Sequence, residues 1–273
     1  MSMPTTSTTE LLTRLGLPTL SSQLELLLDE ARQQQLSYEA FLQQALATEV
    51  AGRAERALAR RIRAARLPLA ARLESFDFSF QPSLSARLIH ELAGLSFVQT
   101  ATNVLLLGPP GTGKTHLACA LARRALAGGY SALFTTLRGV AADFARAPAG
   151  GAAVLSRLVA PKLLIIDEVG YTRLSAEQAQ WLFELVVARY ERGAIILTSN
   201  LSFAAWGELL GDAVLASALL DRLLHHAEVI TINGRSYRLR ERLLGDEASA
   251  ASADAGSVVG RAGAQNEGVH LAS

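Results

Sequence analysis

Gly108-Pro109-Pro110-Gly111-Thr112-Gly113-Lys114-Thr115 fits the pattern G-x-x-x-x-G-K-[ST]. Glycines in such a loop let consecutive backbone N–H groups converge on phosphate oxygens, and a helix N-terminus just beyond adds a favourable dipole. Lys114 is placed to reach β- and γ-phosphates, and the Thr115 hydroxyl to hold Mg²⁺. The plainer alternative is a Gly/Pro turn that only joins a strand to a helix.

A second stretch, Leu163-Leu164-Ile165-Ile166-Asp167-Glu168, is an apolar run ending in two carboxylates. Open α/β sheets collect ligands at the carboxyl ends of their strands, which is where Asp167 falls. Asp167 is read as a metal ligand, direct or through water, and Glu168 as the base that orients and deprotonates an attacking water. Two acids after a strand can also be the solvated start of a loop. Ile195 to Asn200 is a similar run with a polar end, and Asn200 could hold that water or sense a γ-phosphate. Ser-Asn in this position is also ordinary turn chemistry. Arg222 and Arg238 are candidates to neutralise charge developing on a transferred phosphate, Arg222 from a neighbouring subunit. On spacing alone, Arg222 pairing with Asp221 or Glu228 on a helix surface is the better reading. His225 and His226 receive no role.

These residues need a scaffold of strands alternating with helices. NVLLLG reads as a buried strand, followed by the Gly-rich turn and a helix THLACALARRALAGG. SALFTT, KLLIIDE, AIILTSN and EVITI read as four more strands. LRGVAADFARA is a helix, APAGGAA a loop, and Ser175 with Gln178 caps a helix carrying Trp181, Leu182, Leu185 and Val186. The alternation predicts a parallel sheet covered by helices on both faces. Before residue 100 the pattern is helical. A short helix is expected at Glu10–Leu15. A second should be capped by Ser22 and Glu25, and a third should run from near Ser37 toward Pro68. Phe76, Phe78 and Phe80 lie in an irregular stretch and are read as docking one module onto the next. The expected organisation is a helical N-terminal domain over 1–76, an ATPase domain over 77–245, and a disordered Ala/Gly/Ser-rich tail over 246–273.

Composition narrows the function classes. Half of the 273 residues are hydrophobic and the net charge is +1, so affinity for an acidic partner must come from a local patch. Cys119 is the single cysteine, which excludes an intramolecular disulfide. There is no run of 18 apolar residues and no signal-peptide pattern at the N-terminus, so a soluble, cytoplasmic protein is expected, with no membrane partner. The local patch lies between Arg53 and Arg72, where Arg53, Arg56, Arg60, Arg61, Arg63, Arg66 and Arg72 stand against Glu55 alone, with Glu74 just beyond. Such an excess can neutralise several phosphates of duplex DNA with steep salt dependence. The alternative is a solvated face whose arginines pair with acidic neighbours.

GPPGTGKTHLA, LLIIDEVGY, RYERG with ILTSN, LLDRLLHHAEVI and GRSYRLR, taken in order, resemble the IstB-like ATPases. These are helpers of insertion-sequence transposition, related to the DnaC helicase loaders within the AAA+ class. The resemblance covers about Leu36 to Arg242, and EVAGRAERALARRIRAARLPLAARLESFDF is of the same type. It implies a P-loop NTPase fold of the AAA+ kind behind a small all-helical domain, with ATP and Mg²⁺ as cofactors. It also implies that Asn200 is the sensor-1 residue, Arg222 the arginine finger and Arg238 the sensor-2 residue. The implied partners are duplex DNA, a transposase, and further copies of the chain assembled in the presence of ATP. Arg138 and Arg146 could line a DNA-facing pore in such an assembly. One departure is Lys162, which stands before the Asp167 strand where an acidic or small residue is expected. Two other functions share the fold or the ligand: a replicative helicase loader, and a nucleotide-gated DNA scaffold with little turnover. Glu168 argues against the scaffold, because a pure switch needs no base.

Overall fold

The computed structural model describes residues 7–147 and 151–237, together with Leu239. Arg238 and the expected tail over 246–273 lie outside the described residues.

The chain begins with three helices: α1 (Thr8–Arg14), α2 (Pro18–Gln33) and α3 (Tyr38–Ala65). Ser7 and Glu10 cap α1 reciprocally, side chain to backbone N–H in both directions. The expected Ser22–Glu25 cap does not form. Pro18 occupies the first turn of α2, where its fixed φ and missing N–H cost nothing, so this helix starts five residues earlier. Ser22 sits inside the helix and donates to the Thr19 carbonyl. Ser37 caps α3 as its sequence suggests. That helix stops at Arg66, which adopts the left-handed conformation just ahead of Pro68.

Two short helices, α4 (Ala86–Ala93) and α5 (Ser96–Gln99), lead into the alternating part. There β1 (Asn103–Leu107), α6 (Lys114–Ala127), β2 (Ala132–Thr136), α7 (Leu137–Arg146), α8 (Ala152–Val159), β3 (Leu163–Val169) and α9 (Ala176–Arg189) follow in turn. The described elements end with β4 (Ala194–Ser199), α10 (Trp206–Leu210), α11 (Ala213–Leu224) and β5 (Ala227–Thr231). All five strands are parallel, in the order β2-β3-β4-β1-β5.

Alternate residues of each central strand enter opposite cores, as the two-residue period of a strand requires. Val104, Leu106, Ile165 and Ile196 pack against α6 and the elements before β1. Leu105, Leu164, Ile166, Ile195 and Leu197 pack against residues of α7 to α11. The first core also takes Leu58, Ile62, Ala65 and Leu73, so packing runs continuously from the second half of α3 into the sheet. A third, small cluster of Leu20, Leu27 and Ala45 holds the N-terminal helices together.

Helix α8 is absent from the sequence expectation, which read 147–153 as a loop and assigned no element between it and β3. It is anchored by Arg189, a buried side chain from α9. The Arg189 guanidinium donates to the carbonyls of Leu158, Val159, Pro161 and Ala194 at 2.8–3.1 Å. A cation at a helix C-terminus meets the orphan carbonyls and the negative end of the dipole. Burial lowers the Arg189 pKa to about 10. Among the described residues, no helix is long and apolar enough to cross a membrane.

Candidate nucleotide site

The carboxyl ends of β1, β3 and β4 lie side by side, and each carries one of the polar stretches picked out in the sequence. After β1 the chain turns through the phosphate loop into α6. Three glycines are needed there for space as well as for conformation: Gly108 has φ 146°, and a Cβ on it would come 2.3 Å from the Ile232 carbonyl oxygen. Gly113 has φ 95°, and a Cβ on it would come 2.6 Å from the Phe76 ring. Gly111 has φ 81°, and a Cβ there would meet the Ser236 hydroxyl at 2.1 Å. The loop is therefore clamped by chain from both sides: Phe76 before β1, and the segment after β5. The second clamp is tied by the Tyr237 N–H, which donates to the Gly111 carbonyl at 2.9 Å.

Lys114 is buried, and its ammonium donates to the Gly108 and Pro109 carbonyls at 2.6 and 2.7 Å. Burial holds its pKa below the ordinary lysine value, with the nearby Asp167 acting in the opposite direction. The buried Thr112 hydroxyl donates to the Pro109 carbonyl at 2.9 Å and keeps the loop closed. Thr115 donates to both oxygens of Asp167, at 3.1 and 3.0 Å. Two motifs 52 residues apart thus meet at one hydroxyl. Asp167 is only 4% exposed and also accepts from the Thr198 hydroxyl. Glu168, next in the chain, is exposed.

These groups line a cleft of about 490 Å³, a volume suited to a small-molecule ligand. Glu168, Thr198, Ser199 and Asn200 line it as well, together with Leu69, Phe76, Gln81 and Tyr237. Asn200 Oδ1 is buried beside Gly170 with no hydrogen-bond partner among the described residues. The structure thus brings together the phosphate loop, Asp167, Glu168 and Asn200. The sequence reading assigned no part to Thr198 in the TSN run, nor to Phe76 as a wall of this cleft.

Arg222 stands apart from this group. It lines a small hollow with Asn103 and Ile195, which lie at the opposite end of β1 and β4. A strand of five residues spans about 17 Å, so Arg222 cannot reach the phosphate loop of its own chain. Its guanidinium donates to the Ala218 carbonyl at 3.0 Å and lies 5.1 Å from the centre of the Phe183 ring. Neither Asp221 nor Glu228 forms an ion pair with it. Arg238 lies outside the described residues, although its neighbours Ser236 and Tyr237 touch the phosphate loop.

The arginines of α3 and the following segment divide into two sets. Arg56 pairs with the buried Glu49 at 2.8 Å and reaches the Thr19 hydroxyl. Arg53 reaches Glu49 and the Gly16 carbonyl, and Arg61 donates to the Leu126 carbonyl at the end of α6. Arg60, Arg63, Arg66 and Arg72 are exposed, with no ion pair among the described residues. Arg60 and Arg63 lie three apart and so share one face of α3.

Comparison with known proteins agrees with the geometry. The model of the family described as IstB-like ATP binding protein matches residues 10–245, reaching further toward the N-terminus than the motifs alone indicated. An insertion sequence IS21 ATP-binding protein of Pseudomonas aeruginosa is 47% identical over 85% of this chain and 88% of its own length. An IS5376 ATP-binding protein of Geobacillus stearothermophilus is 42% identical over 86% of this chain and 94% of its own. Among solved structures, the DnaC helicase loader superposes with a TM-score of 0.50 at 19% identity, covering 59% of this chain and 96% of that one. DnaA from Aquifex aeolicus with bound AMPPCP gives 0.53 at 21% identity, covering 66% of this chain and 56% of that one. At these identities the structural likeness shows the fold, which is that of the AAA+ P-loop proteins.

Proposed function

The chain belongs to the IstB-like ATP-binding protein family, and from that premise we propose that it is a Mg²⁺-dependent ATPase that assembles on duplex DNA and assists a partner transposase. The observation that carries this reading is the pair of hydrogen bonds from Thr115 to Asp167, beside Glu168 at the sheet edge.

A divalent cation fits the donors present: a hydroxyl and a carboxylate, both hard oxygen ligands, within hydrogen-bond distance of each other. Thr115 and Asp167 would hold Mg²⁺, which when bound neutralises charge on the β- and γ-phosphates. The rest of the chemistry belongs to the chain. Backbone N–H groups of 111–115 and the N-terminus of α6 receive the phosphates. Phosphate oxygens compete with the Gly108 and Pro109 carbonyls for the Lys114 ammonium, drawing it onto the nucleotide. Glu168 takes the proton of the attacking water, and Asn200 offers its amide to that water or to the γ-phosphate. Arg222, too far from its own phosphate loop, acts at a neighbour's, so turnover requires assembly. Arg238 follows two residues that touch the loop and serves as a second sensor of the nucleotide.

Duplex binding falls to Arg60, Arg63, Arg66 and Arg72, which form no ion pair among the described residues. Phosphate contacts of this kind carry no sequence information, so weak sequence preference is expected. The names of the two relatives place those proteins in insertion sequences, which supports transposition, with a transposase as partner, as the setting here. Such work places the protein in the cytoplasm. The test is the anisotropy of a labelled duplex with and without a non-hydrolysable ATP analogue. Assembly multiplies weak contacts, so the analogue should tighten binding by about 10²-fold or more. Equal affinity with and without it, or a preference for single strands, would overturn the reading.

A further inference from the structure

The pairing of β3 with β4 contains an irregularity at the site itself. Ile166 pairs with Leu197 and Val169 with Ser199. Two residues of β3, Asp167 and Glu168, therefore face one residue of β4, Thr198. A bulge of this kind interrupts the ladder and re-aims side chains, and bulges are common beside active sites. Here it turns Glu168 into the left-handed region at φ 61°, so that Asp167 is buried while Glu168 reaches the cleft.

Thr198 answers both consequences with one hydroxyl. The Glu168 N–H donates to Thr198 Oγ1 at 3.1 Å, and that hydroxyl in turn donates to Asp167 Oδ1. A hydroxyl has one proton and two lone pairs, so it can make both bonds together. Thr198 is 2% exposed, and its β-branched side chain has few rotamers to choose from. We infer that Thr198 is a positioning residue for both carboxylates: it aims Asp167 at the metal and fixes the backbone from which Glu168 reaches the attacking water. This rests on the ATPase reading above and adds to it a residue to which that reading gives no role.

A threonine in a central strand could also be plain β-branched filler. Valine separates the two, since it keeps the shape and loses only the hydroxyl. Wild type, Thr198→Val and Thr198→Ser should be compared in two assays. The first is steady-state ATP hydrolysis. The second is the Mg²⁺ dependence of binding of a fluorescent non-hydrolysable ATP analogue. Thr198→Val should lower kcat and raise the Mg²⁺ needed for half-maximal binding, each by about 10–100-fold, the usual cost of losing a group that orients a metal ligand. KM for ATP should stay close to wild type, and Thr198→Ser should restore both quantities. If Thr198→Val behaves as wild type, or Thr198→Ser loses as much as Thr198→Val, the inference fails. If the valine protein does not fold, Thr198→Ala takes its place in both assays. A wild type that does not hydrolyse ATP contradicts the ATPase reading instead, and the Mg²⁺ dependence of analogue binding still decides the role of Thr198.

Discussion

The two halves of α3 inhabit different proteins in physical terms. The second half places Leu58, Ile62 and Ala65 in the core shared by the sheet and α6, and Arg61 ties it to the Leu126 carbonyl. Of its apolar residues, the first half, with α1 and α2, buries only Leu20, Leu27 and Ala45. Leu42, Leu46 and Val50 remain 58%, 48% and 69% exposed on the same stretch. A buried leucine contributes about 1.5–3 kcal/mol, so this small cluster offsets little of the entropy lost in ordering three helices. Polar bonds must carry more of the load there. Glu49, 3% exposed, receives the Leu20 N–H at 3.0 Å and the Arg56 guanidinium at 2.8 Å, locking the start of α2 onto α3. The P-loop body thus stands on apolar burial, and the N-terminal helices stand on one buried carboxylate and on their continuity with α3.

Lesions in the body should abolish chemistry and leave the N-terminal helices folded. The largest effect is expected from Arg222→Ala, about 10³-fold or more in turnover if it acts as a finger in trans. Mixing Arg222→Ala with Lys114→Ala subunits should restore part of the activity, because some interfaces then join an intact loop to an intact finger. No rescue at any ratio, with co-assembly confirmed, would return Arg222 to a packing role against Phe183.

Lesions in the N-terminal helices should do the reverse. The Leu20 N–H first, and Arg56 beside it, hold the Glu49 pKa below the ordinary glutamate value, against the opposing effect of burial. A carboxylate lowered on folding stabilises the fold fully above its unfolded pKa. That contribution is lost as pH falls through the lower folded value, so acid should loosen these helices before the sheet. Glu49→Gln mimics the protonated state at neutral pH. Limited proteolysis should cut it within 18–50 faster than wild type, while binding of an ATP analogue is unchanged. Equal cleavage rates would mean that the apolar cluster suffices.

The smallest effect concerns the seam between the two halves. Replacing Arg60 and Arg63 together by Ala should flatten the log–log salt dependence of duplex affinity by about 1.8, near 0.9 for each phosphate no longer neutralised. Neither side chain has a partner among the described residues, so the melting temperature should hold. An unchanged slope would move the DNA interface elsewhere, with the exposed Arg138 and Arg146 as the next candidates.

What was legible in the sequence had a local cause. The phosphate loop and all five strands followed from apolar runs bounded by glycine or polar residues. Asp167 and Glu168 could be placed because they end such a run. Helix α8 was missed because it is only eight residues long and directly follows a glycine-rich loop, and its anchor, Arg189, comes from a different helix. The start of α2 was misread because a plausible Ser–Glu cap competed with a proline four residues earlier. Sorting the arginines was out of reach: Arg53 and Arg56 share Glu49 on their own helix, but Gly16, Thr19 and Leu126, which also hold Arg53, Arg56 and Arg61, come from distant segments. The bulge that gives Thr198 its place depends on strand register, which no single strand encodes.

The central claim is that Asp167 and Glu168 divide the labour at one site, the first holding the metal and the second activating water. Glu168→Gln tests it most directly, with ATP binding and phosphate release measured on the same preparation beside wild type. The expected result is near-normal affinity with turnover lowered by about 10²–10⁴, the cost of losing a positioned base. Turnover at the wild-type rate in Glu168→Gln would contradict the account.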